Sequence, residues 1–351
     1  MKKMVKLRTD IRDLTLEELQ AWLIAVGEKP YRAKQIFEWL YKKNAVSIDA
    51  MATLPAPLRD LLARDFILAE PPVVTALKAQ DGTQKFLFQL GDDEKIETVL
   101  IPAAGRATVC VSTQAGCKFG CRFCASGIGG WKRDLDPSEI LHQILHARRE
   151  ARGQPLTHIV FMGTGEPLDN YDNLLKAIRI INAPEGLKIA ARRITVSTCG
   201  VIPKIQRLAG EGLQIELAIS LHGFNDESRR VLMPVNKKYP MSELIEACRE
   251  YVKKTKRQIT FEYILIKDVT CTENAAEELR KLFRGLICKM NLIPYNKVAE
   301  FDHEPPDRDT VRQFQKQLKQ FGVLSTVRTP RGRDVAAACG QLRHQAGKTA
   351  R

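Results

Sequence analysis

The chain has 351 residues, long enough for one large domain or two modest ones with ample core. Its 44% hydrophobic and 27% charged residues describe a globular protein, and no apolar run approaches the roughly 20 residues of a membrane span. Fifty-five Lys and Arg against 41 Asp and Glu leave a net charge of +14; such a surface suits a polyanionic partner, nucleic acid above all.

The basic N-terminus runs into acidic residues before any apolar signal core, so a cytoplasmic location is expected. "DLTLEELQAWLIAVG" predicts a helix opened by a capping box, Thr15 to Glu18, and closed at Gly27. "YRAKQIFEWLYKK" places Ala33, Ile36, Phe37 and Leu40 on one helical face, and a third helix is predicted over 56–65. Residues 1–75 thus read as a small basic helical domain, suited either to docking on RNA or to serving as a structural cap. Over 76–106, "KFLFQL" and "KIETVLIP" flank the turn-like "GDDE" and read as a β-hairpin extension.

Strands and helices alternate from there. Strands are predicted at 107–113, 158–163, 193–198, 215–222, 259–266 and 290–296, with helices at 137–152, 171–181, 202–211, 241–255 and 274–286. This pattern is an α/β fold built on a parallel sheet with helical crossovers. Six units fall short of an eight-stranded barrel, so the pattern alone allows a partial barrel or an open sheet. The main domain is expected to span 107–300, followed by a C-terminal segment at 301–345 and a frayed basic tail at 346–351.

The chemically interesting residues follow the strands. "AGCKFGCRFC" comes after the first, "GTGEP" after the second, "STCG" after the third, "SLHG" ends the fourth and "PYN" the sixth. All fall at the carboxyl ends of parallel strands, where α/β folds carry their sites. Nine cysteines, an odd count with one tight cluster, speak against a secreted disulfide scaffold and for metal or redox chemistry. Cys117, Cys121 and Cys124 form a C-x3-C-x2-C loop. A structural zinc site needs a fourth ligand and usually shows two cysteine pairs; Cys110, inside the predicted strand, is the nearest thiol that might complete one. An iron–sulfur cluster held by three thiolates instead keeps one iron open. Glu166 lies in the flexible "MGTGEP" turn with Gly163 and Gly165; alone, Gly-Glu-Pro reads as a common turn. His222 alone reads as a satisfied polar core residue. Cys339, in "DVAAACGQL", would alone be inert core.

The cysteine loop, with Phe123 just before its last cysteine, resembles that of the radical S-adenosylmethionine (SAM) superfamily. "CVSTQAGCKFGC", "MGTGEPL", "SLH", "LIPYN" and "AACGQL" together resemble the RlmN-type family of adenine C2-methyltransferases, over nearly the whole chain. The resemblance implies a partial (β/α)6 TIM-like barrel of the radical SAM type with a small helical N-terminal domain. It implies a [4Fe-4S] cluster on Cys117, Cys121 and Cys124, and a SAM pocket of Gly165, Glu166, Ser197, Ser220, Leu221, His222 and Asn296. Two SAM molecules would be consumed per turnover.

By the same resemblance, Cys339 carries a methyl group and joins the RNA covalently. Cys110 resolves that adduct through a transient disulfide with Cys339, and Glu97 is the proton acceptor. Burial of Glu97 between Ile96 and Val99 would raise its basicity, whereas an edge strand would turn it to solvent. The implied substrates are 23S rRNA at the peptidyl-transferase centre and the tRNA adenosine next to the anticodon. The base must be unstacked, and Lys118, Arg122, Lys132 and Arg133 are candidates for holding phosphates. An external reductant such as flavodoxin or ferredoxin and a monomeric state complete the expectation. The competing readings are an adenine C8-methyltransferase conferring antibiotic resistance, from which Pro167 in "GEP" sets this chain apart, a zinc-stabilised RNA-binding module, and a radical SAM enzyme acting on a small molecule.

Overall fold

The computed structural model describes residues 8–297 and 301–328. The first strand, β1 (Thr9–Asp10), pairs in parallel with β2 (Phe66–Ile67), bringing together the two ends of a helical unit. Between them lie α1 (Leu16–Ala25), α2 (Arg32–Phe37) and α3 (Ala56–Asp65). The capping box at Thr15 is formed in full, and Gly27 takes a φ of +81°. Ala33, Ile36, Phe37 and Leu40 are buried, but α2 widens into a π-helical turn at Glu38–Lys42.

The expected hairpin is a three-stranded antiparallel unit: β3 (Val73–Lys78), β4 (Gln84–Gln89) and β5 (Lys95–Ala103). It continues antiparallel into β6 (Arg106–Cys110). A short hairpin follows, β7 (Gln114–Gly116) with β8 (Trp131–Asp134), and holds the cysteine loop between its strands. Then come α4 (Pro137–Glu150), β9 (Leu156–Phe161), α5 (Tyr171–Asn182), β10 (Ile194–Thr198), α6 (Ile202–Leu208) and β11 (Glu216–Ser220). The described chain ends with α7 (Asp226–Leu232), α8 (Met241–Thr255), β12 (Ile259–Leu265), α9 (Glu273–Leu282), β13 (Cys288–Pro294), α10 (Arg308–Gln320) and β14 (Ser325–Val327).

One ten-stranded sheet runs in the order β14-β13-β12-β11-β10-β9-β6-β5-β4-β3, parallel from β14 to β6. All six predicted parallel strands are present, with β14 as a seventh. Alternation explains why the sheet curls around a site rather than a solid core. On β10 to β12, Val196, Leu217, Ile219, Phe261 and Tyr263 are buried in the hydrophobic core, while Ser197, Ser220 and Glu262 line a cavity inside the sheet. The N-terminal unit packs on α4 through polar contacts. Asp13 accepts from the Ser138 amide at 2.8 Å. Glu70 pairs with Arg12 at 3.1 Å and with Arg149 at 2.9 Å. No described helix is long and apolar enough to cross a membrane.

Candidate active site

The carboxyl ends of the parallel strands, the cysteine loop and the inner face of β5 and β6 enclose a cavity of about 320 Å³. Cys117, Cys121 and Cys124 line it, together with Cys110, Gly165, Glu166, Ser197, Ser220, His222 and Asn296. Leu221 does not: its side chain is fully buried and it serves the site through its backbone, its N–H donating to the Glu262 carbonyl at 3.0 Å. Glu97 is buried just behind the lining, its Oε2 2.9 Å from Lys85 Nζ. The edge-strand alternative fails because β5 is flanked by β4 and β6. Cys339 lies outside the described residues.

Local geometry fixes the cysteine loop. Gly116 has a φ of +89°, and a Cβ there would sit 1.9 Å from the Gly130 carbonyl oxygen, so only glycine lets the two strands close beneath the loop. The Cys117 amide donates to that same carbonyl at 3.2 Å, and the Arg122 amide donates to the Leu232 carbonyl at the end of α7 at 3.0 Å. Burial pushes the Cys117 thiol up to about 12 and the Cys121 thiol well above its ordinary value, and the neighbouring thiols add to both. Thiols that resist ionisation need a strongly cationic partner to become thiolates. Among the described residues, no three His, Cys, Asp or Glu side chains converge as ligands of a single metal ion. Cys117, Cys121 and Cys124 on the cavity wall are the thiol donor set that an iron–sulfur cluster would take.

Glu166 is enclosed. Its Oε1 accepts from the Leu168 amide at 3.0 Å and its Oε2 from the Cys199 amide at 2.7 Å, while burial raises its carboxyl above the usual range. The Thr198 and Cys199 side chains also hydrogen-bond to it, so an ammonium group entering the cavity would compete with these donors for the carboxylate. His222 adopts a left-handed φ of +52° and its Nδ1 accepts from the Ile264 amide at 3.1 Å. Burial lowers it to about 3, which keeps the ring neutral, and Phe123 packs edge-on against it at 4.7 Å. This is the satisfied polar residue anticipated, on the cavity wall. Of the basic candidates, Arg133 is held by Asp92 and Glu139, and Lys118 by Asp169 at 2.7 Å; Arg122 and Lys132 are exposed.

Sequence reasoning missed Arg229. It is fully buried on α7, and its guanidinium donates to the carbonyls of Cys199 at 2.6 Å, Leu221 at 3.1 Å and Ser220 at 3.4 Å, and to Asn236 Oδ1 at 2.8 Å. It therefore ties the ends of β10 and β11 together beneath the cavity.

A three-thiol loop at the mouth of a parallel sheet, with a buried carboxylate and a polar inner wall, defines a radical SAM enzyme. Residues 111–281 match the radical SAM superfamily, and residues 9–68 match the ribosomal RNA large subunit methyltransferase N-terminal domain. The chain is 48% identical over 335 residues to a probable dual-specificity RNA methyltransferase RlmN of Geobacillus kaustophilus, covering 95% of this chain and 92% of the relative. A Clostridium tetani protein of the same name is 47% identical over 337 residues, 96% of each chain. The crystal structure of a radical SAM methyltransferase from Sphaerobacter thermophilus matches with a TM-score of 0.91 at 47% identity, covering 95% of this chain and 98% of that one. This chain belongs to the RlmN family of radical SAM methyltransferases, which work with a [4Fe-4S] cluster and SAM. That sets aside a non-catalytic zinc module.

Gly165 offers a direct test of the SAM pocket. Its φ is +107°, and a Cβ would lie 2.6 Å from the Gln114 Cβ. Gly165→Ala is expected to displace Gln114, whose Oε1 receives the Glu166 amide at 2.8 Å, and to destabilise the fold by about 1–3 kcal/mol. Equilibrium binding of SAM to the reconstituted variant should weaken at least ~10-fold; unchanged affinity would contradict the placement of this turn in the pocket.

Proposed function

We propose that this enzyme methylates C2 of adenine in large-subunit ribosomal RNA and in transfer RNA; the relatives' name, dual-specificity RNA methyltransferase, supports two RNA substrates, and the motifs resemble those of C2-methyltransferases. The observation that supports the reading is a fourth thiol apart from the cysteine loop: Cys110, buried on the wall of the cavity that the loop closes. Carbon C2 is electron-poor and does not attack an alkylating agent, and the family resemblance implies that the carbon is delivered from a protein sulfur instead.

When bound, the cluster and SAM supply the methyl carbon and the one-electron chemistry that activates it. The chain's own residues do the rest. Cys117, Cys121 and Cys124 hold the cluster, and Gly165, Glu166, Ser197, Ser220, His222 and Asn296 bed the SAM. Val99, Ile101, Phe161 and Met162 form the apolar wall that keeps water away. Cys339 carries the carbon as a thioether to the base, and Glu97 takes the proton that C2 gives up. The Cys110 thiolate then attacks the Cys339 sulfur: a sulfur–sulfur bond forms, the sulfur–carbon bond breaks, and its electron pair goes to the transferred carbon, which takes a proton.

The net charge of +14 suits an RNA partner. A small reducing electron carrier such as flavodoxin or ferredoxin, a monomeric state and a cytoplasmic setting complete the reading. Anaerobic turnover on ribosomal and transfer RNA, followed by nucleoside mass spectrometry, should yield 2-methyladenosine from both. Formation of 8-methyladenosine alone would overturn the assignment.

A further inference from the structure

The inner face of the antiparallel strands carries an ion pair with no assigned role. Residues directly opposite on antiparallel strands share a face. Lys85 stands opposite Val99, and Val99 stands opposite Cys110, so β4, β5 and β6 place these three in one row. Val99 and Cys110 line the cavity, which puts Lys85 on the cavity side. Glu97, two residues from Val99, shares that face. Lys85 is fully buried, Glu97 is 3% exposed, and Lys85 Nζ lies 2.9 Å from Glu97 Oε2.

Structure alone gives little reason for such a pair. Desolvating two charges costs several kcal/mol per ion, and apolar residues of similar volume commonly stabilise a fold as well or better. The opposite face of the same strands is built that way, from Phe86, Phe88, Ile96 and Leu100. The backbone of Glu97 is also fixed from the cofactor side. Its carbonyl accepts from Ser112 Oγ at 2.6 Å, and that hydroxyl accepts from the Thr164 amide, in the turn that leads to Glu166, at 2.9 Å.

We propose that Lys85 is a positioning residue for the methyl-transfer reaction. Its ammonium pairs with the Glu97 carboxylate and holds it in place beside the row that ends at Cys110. The proposal rests on the reading of Glu97 as proton acceptor. In that step the C2–H bond of the RNA adduct breaks, the proton passes to the carboxylate, the bonding pair stays in the base, and the one surplus electron of the adduct leaves by the one-electron route that the bound cluster would supply; Lys85 keeps its own protons. A buried carboxylate without its cation favours the protonated form and cannot receive another proton.

The test follows the covalent protein–RNA adduct on denaturing gels in single turnover, with the reconstituted full chain. Lys85→Met is expected to form the adduct at the wild-type rate and to lose it at least ~10-fold more slowly, and Lys85→Arg to recover most of that loss. Lys85→Gln, which keeps a hydrogen bond to Glu97 without the charge, serves if Lys85→Met does not fold, and should behave as Lys85→Met. Equal slowing of adduct formation and loss, or wild-type loss of the adduct, overturns the proposal. Glu97→Gln separates the two ideas: it should trap the adduct. Trapping there with normal resolution in the Lys85 variants sinks the role of Lys85 alone. Normal resolution in Glu97→Gln sinks the reading of Glu97 and the proposal with it.

Discussion

Replacing Cys121 by alanine is expected to leave a folded, colourless and inactive chain. The thiol sits in the cavity wall with Cys117 and Cys124, and burial and both neighbours raise its pKa well above the ordinary value. In the absence of metal it behaves as a small neutral side chain, so its loss costs the apoprotein little. On the reading of Cys117, Cys121 and Cys124 as the cluster's ligands, it would be one of only three protein anchors. Iron should fall from about four per chain towards zero after anaerobic reconstitution, and methyl transfer should drop at least ~1000-fold. The circular dichroism spectrum should not change. A variant that keeps its iron and its turnover would show that the cluster is held elsewhere.

Cys110→Ala should behave differently: it keeps its iron and stalls after the covalent step. That contrast separates two jobs that the sequence places within fifteen residues, from 110 to 124. C-x3-C-x2-C is readable as a ligand set because consecutive loop residues must reach one cluster. Cys110 is readable only through the family resemblance, since a strand cysteine looks like core until the sheet's inner face is known to line a cavity.

The same physics explains which elements were legible. The central strands are runs of apolar residues bounded by turns, and each ends on its polar motif, so they stand out without any structure. Helix α7 does not: "DESRRVL" is two turns long, and its capping residue Asn225 reads as part of the loop after "SLHG". The pairing partner of β14 lies across α10, and nothing local marks a strand of three residues. Helix α10 is another matter. Asp307 caps it, and Val311, Phe314 and Leu318 fall on one buried stripe, a signal that was available in the sequence. The fate of Glu97 was not available, because only the pairing of β5 with both β4 and β6 decides that it is buried.

Arg229→Gln should produce the largest loss of stability of any single change near the site. The guanidinium is fully buried and its hydrogen bonds run to four backbone carbonyls, Tyr239 among them, and one amide oxygen. Burial pulls its pKa down from the ordinary value, but a planar donor fork that suits five acceptors at once keeps its place. Space around it is tight. A Cβ at Gly223 would fall 2.6 Å from Arg229 itself, and one at Gly200 would fall 3.3 Å from its Nη2. Glutamine carries two donors against five and is shorter, so buried carbonyls at Cys199, Ser220 and Leu221 lose partners at about 1–3 kcal/mol each. A loss of roughly 3–5 kcal/mol follows, a large part of the 5–15 kcal/mol that holds a typical domain. Arg229→Lys keeps the charge without the fork and should recover only part of it. The damage should also reach the cofactor, because the Cys199 amide is the donor to Glu166 and the end of α7 receives the Arg122 amide of the cysteine loop. Urea unfolding of the apoprotein reads the first effect, and SAM affinity of the reconstituted lysine variant reads the second. A glutamine variant with a wild-type midpoint would mean that the strand ends hold each other in place and that α7 is only their cover.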